Sequence, residues 1–205
     1  MFVTTKLWMD DLGAVGVHDQ IEASLRALRT DYVDLLLVHW PNPRVPLAET
    51  LAAMVQAREA GRVRHVGVSN FPAALVREAL DHAPVVCDQV EYHPYLGQPE
   101  LLALAREREL ALIAYSPLAQ GAVARDPVLR EIADAHGATP AQVVLRWLLD
   151  QPEVAAVPKA ASHEHRVANL EAFDVALTDA DRARIAGRER GLRTIDPPWS
   201  PRWDR

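Results

Sequence analysis

The sequence predicts an α/β fold built on a parallel sheet, and more narrowly an incomplete (β/α)8 barrel, the TIM-barrel architecture. Two observations carry this. Short apolar runs alternate with segments of helical period along the whole chain, the pattern of right-handed βαβ units. Polar side chains also stand at or just past the C-terminal end of nearly every apolar run. A barrel gathers such ends around one site, whereas an open sheet uses only those at its switch point.

The elements follow in order. Met1 to Thr5 are apolar or β-branched with no turn residue before them, which suits a strand covered on both faces, and Lys6 closes the run "FVTTK". Ile21, Leu25 and Leu28 then share one helical face. "VDLLLVHW" is the next strand, followed by a helix carrying Leu47, Leu51, Met54 and Val55 that Gly61 should stop. After "VRHVGVSN", Ser69 or Asn70 with Pro72 should open a helix bearing Leu75, Val76, Ala79 and Leu80. "VVCDQVEY" and "ALIAYSPL" are further strands. Gly137 should end a helix, Thr139 with Pro140 should begin another, "VAAVPKA" is the last strand, and Thr178 with Asp181 makes a capping box. These are about six βα units. No G-x-G-x-x-G follows any strand, which weakens a Rossmann reading.

The 205 residues and the 49% hydrophobic fraction fit one domain with a sizeable core. A net charge of −6, scattered and not in blocks, argues against a nucleic-acid or anionic-membrane partner. No apolar run approaches the ~20 residues of a membrane span. The single cysteine, Cys87, rules out an internal disulfide framework and favours a reducing compartment, the cytoplasm. A small-molecule partner is what remains.

Several polar residues at strand ends are candidates for chemistry. A lysine ending a strand is ordinarily the point where a sheet meets water, but at a barrel mouth Lys6 becomes a candidate. His39 follows an apolar strand and precedes Trp40 and Pro41; it reads equally as a satisfied core histidine or as a site residue. "VSN" reads as a helix cap or as part of the site. Gln89, Glu91 and His93 alternate along one strand, yet glutamine is a poor ligand and no cluster supports a metal. Glu91 reads as a buried structural carboxylate in need of partners.

"FVTTKLW", "DYVDLLLVHWP", "GRVRHVGVSNF", "DQVEYHPY", "AYSPL" and "VPKAASHEHRVANLEAFD", in this order and over nearly the whole chain, resemble the aldo-keto reductases, particularly bacterial members similar to 2,5-diketo-D-gluconate reductases. The resemblance implies an eight-stranded barrel that holds NADPH, or NADH, without a Rossmann domain and reduces a small carbonyl compound to an alcohol. Lys6 matches the family's lysine and His39 its substrate-orienting histidine. Ser69, Asn70 and Gln89 would hydrogen-bond the nicotinamide carboxamide, and Tyr115 would stack on its ring. Ser116, Leu118 and Gly121 fall in the loop over the pyrophosphate, and Lys159, Arg166 and Asn169 lie where the family binds the adenosine end and its phosphate. Trp8, His39 and Trp40 match the substrate pocket. Ala160 and His165 depart from the serine and arginine common in relatives, which weakens the phosphate site.

The family's site also has a tyrosine acid and an aspartate paired with the lysine, in an Asp-x-x-x-x-Tyr segment that nothing here matches. "FVTTK" resembles the third strand of the barrel. The chain therefore reads as one domain over 1–205, the C-terminal three quarters of such a barrel, truncated by a misplaced start or a shortened gene. Without the acid, the expectation is little carbonyl reduction by the chain as given, and self-association through unpaired sheet edges, although the complete form would be monomeric. The alternative is a catalytically silent barrel that at most binds nicotinamide nucleotide or a partner chain.

Overall fold

The computed structural model describes residues 1–204. Six parallel strands, β1 (Thr4–Leu7), β2 (Val33–Val38), β3 (Val63–Ser69), β4 (Val85–Glu91), β5 (Ala111–Tyr115) and β6 (Val154–Ala156), form one sheet in sequence order. Helices fill the connections: α1 (Ala14–Leu28), α2 (Leu47–Glu59), α3 (Ala73–His82), α4 (Pro99–Arg108), α5 (Pro127–Ala135) and α6 (Pro140–Leu149). After β6 come α7 (His163–Leu170) and α8 (Asp179–Ala186). The parallel α/β expectation is met, with β1 and β6 as the edge strands. Among the described residues, no helix is long and apolar enough to cross a membrane.

The chain forms two compact units. The first holds Met1–Gln89, Ala103–Ala111 and the described chain from Pro198 onward; the second holds Val90–Leu102 and Leu112–Pro197.

In the first unit, β2 is buried at all six positions, as its run of apolar residues requires of a central strand. Its one carboxylate, Asp34, accepts hydrogen bonds from the Val3 N–H and the Arg64 guanidinium, each at 2.8 Å. Register pairs Lys6 with Leu37, Val38 with Val68, and Ser69 with Gln89. The C-terminal ends of β1 to β4 are thereby brought level. Gly67 makes this possible, because a Cβ there would lie 2.6 Å from Cys87 Sγ and 2.7 Å from Leu37 Cδ2.

The helix signals divide. Gly61 and Gly137 end α2 and α5 with φ of +74° and +62°, which favours glycine. Thr139 and Thr178 form the capping boxes of α6 and α8. Ser69 and Asn70 do not cap α3: Pro72 occupies the N-cap, and the Ala73 N–H donates to Asp204 from the far end of the chain, 2.8 Å away. The last strand stops at Ala156, short of the predicted run. Val157 still donates to the Ala114 carbonyl, but Pro158 has no N–H with which to continue.

Gly67→Ala should destabilise the protein by about 1–3 kcal/mol, since both the thiol and the Cys87 carbonyl crowd the added methyl. Urea unfolding checks this, and an unchanged midpoint would contradict the close approach.

Candidate active site

Within the first unit the sheet sets a group of polar side chains at its C-terminal edge. Lys6 lies in β1, His39 immediately follows β2, Ser69 ends β3, Asn70 follows it, and Gln89 lies in β4. Gln89 joins them. Its side-chain Oε1 accepts from Lys6 Nζ at 2.5 Å, and its main-chain carbonyl accepts both the Ser69 hydroxyl at 2.7 Å and the Asn70 N–H at 3.0 Å. Asn70 in turn donates its side-chain amide to the His39 carbonyl at 2.9 Å, from a left-handed backbone at φ 63°. The side chains of "VSN" thus stitch neighbouring strands together, and the helix-cap reading of them falls away.

Electrostatics follow from this packing. Burial lowers the Lys6 pKa from its ordinary value. Burial, reinforced by the Lys6 charge, lowers the His39 pKa to about 4, so the imidazole is neutral at neutral pH. A cation and a neutral ring with one N–H donor therefore stand together. The Trp8 indole meets the His39 ring edge-on, with centroids 5.1 Å apart, and is itself fixed by Gln20 on its main-chain N–H and Asp10 on its ring N–H. Trp40 is buried against Trp203, and Trp199 meets Trp8 at 6.3 Å. The sequence reading passed over Trp199, Trp203 and Asp204. Two tryptophans in "PPWSPRWD" were a usable signal, but nothing local says what a tail packs against.

The second unit carries the remaining predicted residues. Tyr115 ends β5, and its carbonyl accepts the Tyr92 N–H. Beyond it Ser116, Ala119 and Gln120 hold left-handed φ of 46°, 45° and 51°, and Gly121 follows at 87°. Three non-glycine residues in that region make a strained loop, a feature that clusters at functional sites. Leu118 accepts the Gly121 N–H at its carbonyl. Lys159 is exposed after β6; Arg166 in α7 donates to the Ala161 carbonyl, and Asn169 is the penultimate residue of α7. Glu91 is fully buried and accepts from Thr194, through both its N–H and its hydroxyl, from the Ile195 N–H, and from the His93 ring. Burial raises its pKa, but these bonds outweigh that and hold the carboxyl below its ordinary value. The structural reading of Glu91 holds. The Tyr92 and Tyr95 hydroxyls donate to Gln151 and Asp126 in this unit, while in the first unit the Tyr32 ring lies under Arg64.

Comparison with known proteins adds the following. The model of the aldo/keto reductase family matches residues 1–189. Methylglyoxal reductase DkgB of Yersinia pestis is 34% identical over the whole chain and 78% of its own length. An aldo-keto reductase of Mycolicibacterium vanbaalenii is 39% identical over 97% of the chain and 72% of its own. The crystal structure of a putative 2,5-diketo-D-gluconic acid reductase B superposes with a TM-score of 0.97 at 42% identity, over all of this chain and 74% of that one. A Gox0644 mutant in complex with NADPH gives 0.89 at 34% identity, over 95% and 73%.

The His39 ring should titrate near pH 4 by NMR, assigned through loss of its signal in His39→Gln. Because the ordinary value of 6.5 applies to the unfolded chain, the unfolded chain binds more protons between about pH 4 and 6.5. His39 therefore contributes a stability term that is lost as pH falls through that window, and His39→Gln should flatten it. A midpoint near 6.5 would contradict the burial and the neighbouring charge.

Proposed function

The chain belongs to the aldo/keto reductase family of oxidoreductases, and from that premise we propose that it reduces the carbonyl of a small aldehyde or ketone to an alcohol with NADPH, at a site built on Lys6 and His39. The observation that carries this is the half-buried Lys6 ammonium beside a neutral His39 at the ends of adjacent strands. NADPH supplies hydride when bound. Reduction places negative charge on the carbonyl oxygen, and a preorganised cation in a partly desolvated site stabilises it more than water does. His39 donates a hydrogen bond to that oxygen without adding a second charge, and the alkoxide takes its proton from the Lys6 ammonium, which solvent then reprotonates.

The remaining roles are proposals of the same kind. With its Oε1 taken by Lys6, Gln89 keeps amide N–H donors for the nicotinamide carboxamide, alongside Ser69 and Asn70. Tyr115 stacks on the nicotinamide. Ser116, Leu118 and Gly121 cover the pyrophosphate, and Lys159, Arg166 and Asn169 hold the adenosine end. Trp8 and Trp40 wall the substrate. Two cations favour the 2′-phosphate and hence NADPH over NADH, and the NADPH complex of the Gox0644 mutant supports the same choice. The names of the relatives point to small oxygen-rich carbonyl compounds such as methylglyoxal.

One observation favours a second reading, binding without turnover: the hydroxyls of Tyr92 and Tyr95 are already engaged, with Gln151 and Asp126. The experiment that separates the two mixes the protein with methylglyoxal and either cofactor. Consumption of NADPH, with kcat/KM for NADPH above that for NADH and a loss of at least about 100-fold in Lys6→Met, supports the reductase. Binding of NADPH without consumption supports the silent reading. No NADPH binding at all overturns both.

A further inference from the structure

A cavity of about 480 Å³ lies in the first unit, apart from the Lys6 group. Leu12, Val38, Phe71 and Leu75 line it, and Trp199 from the C-terminal segment forms part of its wall. Its size falls in the range of small-molecule sites, and its lining is mostly apolar. The Ser200 hydroxyl in the wall is buried without a hydrogen-bond partner, while the uncharged side chains of Thr50 and Asn42 are already engaged. The Thr50 hydroxyl donates to the Leu12 carbonyl at 2.8 Å, and the Asn42 amide donates to the Met9 carbonyl and accepts from the Arg44 N–H. A water inside would find the Ser200 hydroxyl as an open partner but fall short of the roughly two to four it needs, whereas an apolar guest would lose none. Glu78 and Arg202, the charged residues of the lining, are exposed to solvent.

The same Trp199 indole meets Trp8 edge-on at 6.3 Å, and Trp8 meets His39 at 5.1 Å. Three aromatic rings therefore run from the cavity wall to the candidate catalytic histidine.

We propose that this cavity is a second small-molecule site, taking a compact neutral molecule with an apolar ring, and that its occupancy reaches His39 through Trp199 and Trp8. A guest that fills the space sets where the half-exposed Trp199 rests, and Trp8 has no route to ignore a neighbour it touches. Binding itself stands independently of the reductase reading; only its consequence for the substrate rests on that reading.

The test is an amide and indole NMR titration of the cofactor-free chain with toluene, which has no carbonyl to reduce. Shifts at Trp199, Phe71 and Leu75 should saturate with one dissociation constant of roughly 1 mM or tighter, and Trp8 and His39 should shift with the same constant. Leu75→Trp in α3 and Val45→Phe in the segment before α2, which also lines the cavity, each fill it from a different side and should weaken binding at least about tenfold. Shifts that never saturate, or that persist unchanged in both filled variants, overturn the site. Saturation at Trp199 with Trp8 and His39 unmoved overturns the coupling. Because no cofactor is present, either result is independent of whether the protein proves to be a reductase.

Discussion

The Lys6 group hangs on Gln89. One residue of β4 accepts the Lys6 ammonium with its side chain, and the Ser69 hydroxyl and Asn70 N–H with its main chain, while Asn70 passes the tie on to the His39 carbonyl. Four consecutive strands are thereby fixed at one end by bonds that do not belong to the ordinary ladder. Such a network is valuable because each member is satisfied; removing one leaves a buried polar group without its partner. The register that permits it depends on Gly67, which lets β3 come close to the side chains of both its neighbours.

From that geometry the electrostatics follow. Lys6 is held by a neutral amide and loses hydration to partial burial, and the His39 ring stays neutral chiefly through its own burial, with the Lys6 charge adding to it. The acidic members of the chain are settled elsewhere by different means. Glu91 is held as the carboxylate by four donors, three of them from Thr194 and Ile195, and Asp126 accepts from Tyr95, Arg188 and the first turn of α5. Both carboxylates fasten chain segments together.

Local signals were legible where local chemistry decides. The apolar runs of β2 to β5, the capping boxes at Thr139 and Thr178, and the glycines at 61 and 137 could all be read because each depends on a few adjacent residues. The candidate residues at strand ends were legible for the same reason, since strand ends and barrel mouths coincide. What connects them was not. Ser69 and Asn70 look like caps in sequence, and only register shows that they bond across strands. The cap of α3 comes from Asp204, 131 residues away, and the left-handed Ser116, Ala119 and Gln120 carry no glycine to announce them. Long-range contacts and backbone strain leave no periodic trace.

The central claim is that Lys6 and Gln89 act as one connected site for the nicotinamide end of the cofactor. A double-mutant cycle on NADPH affinity, using Lys6→Met, Gln89→Leu and both together, tests it most directly, because the two side chains are hydrogen-bonded and belong to one network. The account predicts that each single change weakens binding and that the pair is coupled by about 1 kcal/mol or more. Single changes that leave affinity unaltered, or effects that add within ~0.3 kcal/mol, would contradict it.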